Sequence, residues 1–571
     1  MKIHFLTSAH NSLSQRLLIE LEKRGHQVSV TLASSDAAML QSVAEQRPDL
    51  IIAPMLKCAI PEAIWGKHLC LIVHPGIVGD RGPSSLDWAI MNGEKEWGVS
   101  ILQAAAEFDA GPIWAARTFA LKNGPCAKSS LYRHEVTEAA VEAVLEAVWK
   151  FETEQFSPEP LDYGKPGVRG RLCPPMRQGD RTIDWRRDST ETILRKIGAA
   201  DSTPGVLDDI WCWPFYLYGA HPEDRLTGVP GQPLAQRDDA VCRATIDGAI
   251  WITHLKAKGE DGRPGIKLPA VQALGPLGKR LPISELPIDA VTDYRTYREI
   301  SYREENGVGY LSFDFLNGAM STEQCYRLRD AFLFARSQPT RVIVLLGGKD
   351  FFSNGIHLNV IEVAADPALE SWRNINAIDD LIYEILNTMS HIVIAALRGN
   401  AGAGGAMLPL AADRVFAREG IILNPHYKSM GGLYGSEYWT YTLPRRVGHA
   451  KAFALTEACR PLGTLEAKAI GFIDECLAGD ADTFEQALTS RAEELALGED
   501  SWRLLRQKHD KRLADERVKP LAAYRAEELK HMHFNFYGAD KAYHLARQEF
   551  VYKRPLDAGR QRIRPAKARV I

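Results

Sequence analysis

The residues in this sequence best suited to proton transfer lie where a short apolar run meets a histidine. Residues 69–73 are typical of a buried parallel strand, and the run ends at His74. The Pro-Gly pair that follows forces the backbone out of the sheet, so His74 is predicted at the carboxyl end of a strand. Ligands of open α/β sheets bind beyond these ends, where an imidazole can transfer protons near neutral pH. The alternative is a histidine with a structural role only.

The elements after His74 extend this pattern. The sequence predicts a helix over residues 84–91, a strand over 97–103, and then the turn that contains Asp109. Over about residues 1–270, the chain resembles the folate-dependent formyltransferases. The resemblance rests on a series of features: a histidine after a strand, an Arg-Gly-Pro loop, a helix, a Gly-Val-x-Ile strand and an Asp-x-Gly turn. The resemblance implies that His74 is the general acid/base and that Asp109 orients and polarises it.

One position departs from that family. The formyltransferases carry an asparagine two positions before the histidine, whereas this sequence has Ile72. The asparagine amide would stabilise the tetrahedral oxyanion during acyl transfer, a contribution of about 3 kcal/mol for a single donor. Either another donor replaces it, or the formyl acceptor needs less assistance.

The elements that would position His74 begin with a β-α-β-α-β pattern. Strands over residues 2–7, 28–33 and 49–54 alternate with helices over 15–24 and 37–46. This alternation predicts a parallel sheet with right-handed crossovers.

Three further residues are candidate folate contacts. Asn11 follows the first strand, where it either contacts the ligand or caps the next helix. The resemblance to the formyltransferases implies that residues 55–60, with Lys57 among them, wall the pterin pocket. Arg81 belongs to the Arg-Gly-Pro loop beyond His74 and is expected to contact the same ligand.

Two glycine-bearing segments, about 50 residues apart, mark the second half of the chain. They read GGKDFFSNGIHL at residues 347–358 and RGNAGAGGA at 398–406, with a helical stretch between them. They resemble the crotonase (enoyl-CoA hydratase/isomerase) superfamily. The resemblance implies that the backbone amides of Ile356 and Gly404 bind an acyl-CoA thioester oxygen. Gly355, Leu358 and Gly405 flank these positions and are expected to contact coenzyme A.

Glycine suits these segments because two amides must converge on one oxygen with no side chain in the way. The second amide also lies where a helix is predicted to start, so the helix dipole adds to the attraction. The alternative is that the glycines only allow close packing.

The acid/base positions differ from those of a hydratase. Met407 replaces the glutamate expected after the second segment, and the proline that precedes the other hydratase glutamate is followed here by His426 and Tyr427. Hydration of an enoyl-CoA is therefore not expected. The remaining candidates for proton transfer are His426, Tyr427 and Glu437, the last in an aromatic segment where burial would raise a carboxyl pKa. The alternatives are a packing role for Tyr427 and a surface position for Glu437.

Composition fits a multidomain globular protein. Of 571 residues, 25% are charged and 45% hydrophobic, and the net charge of -3 argues against nucleic-acid binding. Nine cysteines without a CxxC pair, and no histidine cluster at metal spacing, predict reduced thiols in a cytoplasmic protein with no metal. No signal peptide or membrane-spanning run is recognised.

The helical C-terminus ends in a basic tail that either contacts coenzyme A phosphates or is solvated: Lys553, Arg554, Arg560, Arg562, Arg564, Lys567 and Arg569.

The expected fold class is α/β, in four segments. Residues 1–165 form a Rossmann-like formyltransferase domain, and 166–275 form a small β-barrel-like domain resembling the one that follows it in tRNA formyltransferases. Residues 276–296 are a Pro/Gly linker, and 297–571 form a crotonase-fold domain with C-terminal helices.

The two halves together resemble the hydrogenase-maturation factors of HypX (HoxX) type. The resemblance implies that the one-carbon unit of 10-formyltetrahydrofolate becomes the carbon monoxide (CO) ligand of the [NiFe]-hydrogenase. Our hypothesis is formyl transfer to coenzyme A, followed by decarbonylation of formyl-CoA. Expected partners are the two small molecules and hydrogenase maturation proteins or the hydrogenase large subunit. Three alternatives stay open: an acyl-CoA hydrolase or hydratase half, an amine formyltransferase with an idle crotonase half, and a non-catalytic assembly scaffold.

Overall fold

The computed structural model describes residues 1–121, 124, 126–154, 156–259, 264–498 and 501–553. The chain divides into two units: Met1–Ser284 with Asp293–Tyr297, and Glu285–Thr292 with Arg298–Ile571. The predicted Pro/Gly linker is thus shared between them. The basic tail beyond Lys553 lies outside the described residues.

A mixed six-stranded sheet opens the first unit, in the order β2-β1-β3-β4-β5-β6. Strands β1 to β4 run parallel, as the β-α-β-α-β pattern predicted, while β5 and β6 are antiparallel to their neighbours. The strands are β1 Lys2–Thr7, β2 Gln27–Leu32, β3 Leu50–Ala53, β4 Cys70–His74, β5 Glu96–Gln103 and β6 Ile113–Ala120. The helices around them are α1 Ser12–Glu22, α2 Asp36–Gln46, α3 Glu62–Trp65, α4 Ser85–Asn92, α5 Lys128–Leu131 and α6 Thr137–Thr153, with a π-helical turn at Tyr132–Val136.

An antiparallel sheet forms the smaller part of the first unit. Its order is β7-β8-β11-β10-β9, with β12 paired to β11, so within the described residues the sheet stays open rather than closing into a barrel. Its elements are α7 Thr190–Ala199, β7 Val206–Ile210, β8 Trp213–Glu223, β9 Pro233–Arg237, β10 Ala240–Ala244, β11 Ala249–Ala257, β12 Lys267–Pro269, α8 Ala270–Leu274 and α9 Pro276–Lys279.

Two sheets form the second unit. The larger has the order β13-β14-β15-β17-β19-β22 and is parallel apart from β13, and the smaller has the order β16-β18-β20-β21. The strands are β13 Ile300–Glu305, β14 Val308–Phe313, β15 Val342–Leu346, β16 Phe351–Ser353, β17 Ile392–Leu397, β18 Asn400–Gly402, β19 Arg414–Arg418, β20 Ile422–Asn424, β21 Leu462–Gly463 and β22 Glu475–Leu477.

Helices cover both sheets of the second unit. They are α10 Thr322–Ser337, α11 Leu358–Val363, α12 Pro367–Leu386, α13 Trp439–Val447, α14 His449–Ala458, α15 Thr464–Ala469, α16 Ala481–Leu497, α17 Ser501–Val518, α18 Leu521–Tyr537 and α19 Ala542–Tyr552. The C-terminal helices belong to the core, because Met532, Phe536 and Tyr543 are buried in the same apolar cluster as α12 and β17. A search of the described helices found none long and apolar enough to cross a membrane.

Candidate functional site

The buried apolar strand β4 ends at His74, as predicted. The imidazole is 5% exposed, and its Nε2 lies 2.8 Å from Oδ2 of Asp80, which is 2% exposed. Because an ionised carboxylate can only accept a hydrogen bond, Nε2 carries the proton and donates it to Asp80. The lone pair is therefore on Nδ1, which makes Nδ1 the atom that can act as a base.

Asp109 faces the opposite side of the same ring. Its Oδ1 lies 3.6 Å from Nδ1 of His74, which is beyond hydrogen-bond length, and its Oδ2 accepts from the amide of Gly82 at 3.1 Å. The backbone of Asp109 is left-handed, with φ of 53°. The ring thus lies between two carboxylates, and it is oriented by the hydrogen bond that it donates to Asp80 rather than by one to Asp109.

Gly76 leaves no room for a side chain next to this pair. A Cβ there would lie 2.5 Å from Nε2 of His74 and even closer to Oδ2 of Asp80. The glycine of the Pro-Gly pair therefore lets the loop fold back over the imidazole so that Asp80 can reach it. Asp80 is the residue that sequence reasoning missed, although it lies only six positions after His74 in a loop already recognised as part of the site.

The other residues predicted near this site have structural contacts. The guanidinium of Arg81 binds Glu107 at 2.5 Å and the carbonyl of Phe108 at 3.1 Å, so it fastens the loop that carries Asp109. Asn11 caps α1, its side chain accepting from the amide of Ser14 at 3.0 Å. The cap uses only Oδ1, while Nδ2 of Asn11 lies 3.4 Å from the hydroxyl of Tyr132, and contact with folate stays a prediction.

Lys57 is exposed at the surface, whereas Ile72 is half-buried in the sheet. Lys57 is exposed, and its backbone amide donates to Oγ of Ser8 at 2.9 Å, which joins the loops after β3 and β1. Ile72 is half-buried in β4 and packs against the apolar cluster under the sheet. It offers no donor in place of the family asparagine.

In the second unit, the smaller sheet brings the glycine segments together. Strands β16, β18 and β20 are parallel neighbours, with Ser353 paired to Ala401 and Gly402 paired to Asn424, so the ends of the three strands lie side by side. A Cβ on Gly355 would lie 3.3 Å from the amide nitrogen of Gly404, and Gly355 has a φ of 75°, which favours glycine. The two segments therefore meet at Gly355 and Gly404.

The backbone orientation at Ile356 is set by a short bridge to Met320. In that bridge Met320 donates its amide to the carbonyl of Gly355 at 2.9 Å, so the amide of Ile356 itself takes no part in it. Leu358 begins α11 and packs against the core. Gly405 packs on Ser353, since a Cβ there would collide with its carbonyl.

Glu437 lies directly against Gly404. A Cβ on Gly404 would come within 2.7 Å of Cδ of Glu437 and closer still to Oε1. Glu437 is only 3% exposed, and it precedes α13 rather than lying on a helix surface. Burial raises its pKa to about 8, and the neighbouring Asp379 adds to that rise. At neutral pH this carboxyl is mostly in its acid form, next to the amide predicted to bind the thioester oxygen.

Tyr427 and His426 are the other two candidates for proton transfer. The Tyr427 hydroxyl is buried without a hydrogen-bond partner among the described residues, and burial raises its pKa well above 10, with Glu437 adding to that rise. Nδ1 of His426 lies 2.9 Å from the carbonyl of Asn424, so Nδ1 is a donor, while burial lowers the His426 pKa. Met407 is fully buried in the core.

Comparison with known proteins covers the whole chain. It is 48% identical over its full length to "Hydrogenase maturation factor HoxX" of Bradyrhizobium diazoefficiens, of which it covers 99%. The chain belongs to the HypX/HoxX family of hydrogenase maturation factors. The crystal structure of HypX from Aquifex aeolicus in complex with tetrahydrofolic acid matches with a TM-score of 0.93 at 47% identity, over 97% of both chains.

Family models assign the HypX/HoxX domains. Formyl transferase models match residues 31–148 and, for the C-terminal domain, 175–263, and the enoyl-CoA hydratase/isomerase model matches 303–557. The methionyl-tRNA formyltransferase of Roseiflexus castenholzii is 27% identical over 42% of this chain and 78% of its own. This maturation factor therefore combines formyltransferase and crotonase domains, which implies catalytic activity. Among the described residues, no group of three His, Cys, Asp or Glu side chains could hold a metal ion.

Proposed function

We propose that this maturation factor makes CO by formyl transfer from 10-formyltetrahydrofolate to coenzyme A, followed by decarbonylation of formyl-CoA. The observation that carries the proposal is the buried carboxyl of Glu437 against Gly404, in a crotonase domain where Met407 replaces the hydratase glutamate. Burial raises the pKa of this carboxyl, which favours its acid form. A crotonase site without a hydratase pair, joined to a formyltransferase domain, favours a one-carbon acyl-CoA as the shared intermediate. The tetrahydrofolate complex of the Aquifex HypX supports the folate substrate.

In the first step, Nδ1 of His74 takes the thiol proton of coenzyme A, whose pKa is about 8.5. The C–S bond forms at the formyl carbon, the C–N bond to the folate breaks, and His74 returns the proton to the leaving amine. Asp80 and Asp109 flank the ring and stabilise the imidazolium that forms between these events. A thiolate is a stronger nucleophile than an amine, which accounts for the absence of the asparagine at Ile72.

In the second step, the amides of Ile356 and Gly404 bind the formyl oxygen. Glu437 gives its proton to sulfur as the C–S bond breaks, and its carboxylate takes the formyl hydrogen as a proton. The products are CO and the free thiol, so atoms and electrons balance without another reactant. Tyr427 is the second candidate for this proton, but its hydroxyl has a much higher pKa.

The test is to incubate the purified protein with 10-formyltetrahydrofolate and coenzyme A and to trap evolved gas with deoxyhaemoglobin. We expect CO and tetrahydrofolate in equal amounts, both dependent on coenzyme A. His74→Ala should abolish both products from the folate yet still release CO from synthetic formyl-CoA, whereas Glu437→Gln should abolish CO from either source. His509→Ala and Glu323→Gln, at exposed positions, are matched controls.

Three results would contradict the proposal, and each favours a different alternative. Formate instead of CO would indicate a hydrolase. Folate turnover without coenzyme A would indicate transfer to an amine. Normal hydrogenase maturation in cells carrying His74→Ala would indicate a scaffold. We propose that the hydrogenase large subunit or the proteins that assemble its metal site receive the CO.

A further inference from the structure

The segment that carries Glu437 has an unfavourable backbone. Glu437 and Tyr438 are consecutive non-glycine residues with left-handed backbone, at φ of 64° and 53°, and they follow Gly435 at 87°. Side chains other than glycine rarely adopt this conformation, so such a turn persists only where its surroundings fix it. The neighbouring helices must therefore supply the interactions that hold it.

Two buried carboxylates bind the turn from different helices. Asp379 on α12 accepts from the amide of Glu437 at 2.9 Å and from Oγ of Ser436 at 2.9 and 2.8 Å. Glu528 on α18 accepts from the amide of Thr440 at 2.8 Å and from its hydroxyl. Ser436 Oγ also lies 3.4 Å from Glu528, so it links the two.

The burial of these two carboxyl groups is unfavourable for the stability of the fold. Asp379 and Glu528 are fully buried, and burial raises the pKa of both carboxyl groups, to about 6 for Asp379 and well above its usual value for Glu528. Burying such a group, charged or neutral, is unfavourable unless it is well hydrogen-bonded. Arg525 lies 3.7 Å from Asp379 and makes its close ion pair, at 2.7 Å, with the half-buried Asp380 instead. Hydrogen bonds from the turn therefore provide most of the compensation.

We propose that Asp379 and Glu528 are positioning residues that clamp the strained turn and thereby fix the Glu437 carboxyl beside Gly404. This carboxylate clamp rests on the proposed function, since it gives Glu437 its place in the decarbonylation step. Asp379 binds the turn through two donors, the hydroxyl of Ser436 and the backbone amide of Glu437 itself. A negative charge there keeps Glu437 in the acid form, which is the form that protonates the leaving sulfur.

The groups that face Glu437 come from several elements. They are Asp379 on α12, Glu528 on α18, Tyr427 after β20 and Cys325 on α10. Asp379 is the charged neighbour that raises the Glu437 pKa, second only to burial. Neutralising it should therefore lower that pKa, by about one unit for a like charge at this range.

The test compares Asp379→Asn with the wild type in two measurements. The first is the pH profile of CO release from formyl-CoA, whose alkaline limb should move down by about one unit while KM stays within about twofold. The second is infrared difference titration of the acid-form carbonyl band, assigned by its loss in Glu437→Gln, which should shift in the same direction. Asp482→Asn on exposed α16 is the matched control.

A second variant covers the case in which Asp379→Asn does not fold. Ser436→Ala removes the hydroxyl that links the two carboxylates and should lower kcat for CO release about tenfold or more, with KM little changed. If folded Asp379→Asn keeps both the pH limb and the infrared titration of the wild type, or if folded Ser436→Ala keeps the wild-type kcat, the clamp is wrong although the proposed function stands. If the wild type releases no CO but the infrared titration still shifts in Asp379→Asn, the clamp stands and the proposed function fails.

Discussion

The hydrogen bond between His74 and Asp80 allows a direct test of which carboxylate orients the base. In Asp80→Asn, the amide NH2 can donate to Nε2, which would move the ring proton to Nδ1 and remove the lone pair that accepts the thiol proton. The same substitution at Asp109 disturbs a carboxylate that lies 3.6 Å from the ring and makes its hydrogen bond to Gly82 instead. The two variants therefore distinguish loss of the hydrogen bond that orients the ring from loss of a nearby negative charge.

The expected size of the effect follows from the geometry. A buried hydrogen bond of 2.8 Å to an ionised group contributes about 1.5 to 3 kcal/mol. At about 1.4 kcal/mol for each tenfold change in rate, its loss should slow formyl transfer by about 10- to 150-fold, and the reversed ring proton should add to this. Asp109→Asn should have the smaller effect, since only a longer-range attraction to the imidazolium is lost.

The assay is single-turnover release of tetrahydrofolate in the presence of coenzyme A, measured for the wild type and both variants. Release of CO from synthetic formyl-CoA serves as the internal control, because it should be unchanged in all three. A wild-type rate for Asp80→Asn together with loss of transfer in Asp109→Asn would refute this reasoning. The orienting carboxylate would then be Asp109, as the resemblance to formyltransferases implies.

Four further predictions concern other parts of the molecule. Gly76→Ala should impair formyl transfer at least as much as Asp80→Asn in the same assay, because its Cβ would push the loop off the imidazole. Gly404→Ala should abolish CO release from formyl-CoA but leave tetrahydrofolate release intact, since its Cβ would displace the Glu437 carboxyl. CO release should decline as pH rises through about 8, where Glu437 loses its proton, and a profile flat to pH 10 would exclude Glu437 as the acid. Arg547→Ala should lower the free energy of unfolding by about 3 to 5 kcal/mol, because it leaves the buried Glu362 carboxylate without its partner at 2.8 Å, and a thermal melt should show a lower Tm.

Local patterns in the sequence predicted most of the elements around these sites. The apolar run before His74 forms β4, and the predicted strand over 2–7 matches the observed bounds of β1. Apolar periodicity and Pro-Gly signals act over a few residues, so they can be recognised without the tertiary fold. The strand Ile113–Ala120 was not predicted, because its sequence mixes arginine and threonine with small residues and follows directly on the Asp-x-Gly turn.

The carboxylates that surround the sites could not be assigned in the same way. Asp80 was visible as an acidic residue close to His74, but only the turn around Gly76 decides that it reaches the imidazole. Asp379 lies on the apolar face of α12, among isoleucines and leucines, and an acid on such a face is a signal of a buried partner. The identity of that partner depends on packing with a turn 57 residues away, which no local pattern specifies.

The two candidate sites use buried carboxylates in opposite ways. At His74, Asp80 accepts a hydrogen bond from the protonated Nε2. The lone pair therefore lies on Nδ1, where the imidazole can act as a base. At Glu437, the anion of Asp379 disfavours a second negative charge, so the carboxyl retains its proton and can act as an acid. Taking a thiol proton and returning one to sulfur are two of the proton transfers that the proposed route through formyl-CoA requires. Each is therefore matched by a carboxylate that sets the protonation state of the group performing it, and this match is what a single substitution at Asp80 or Asp379 would remove.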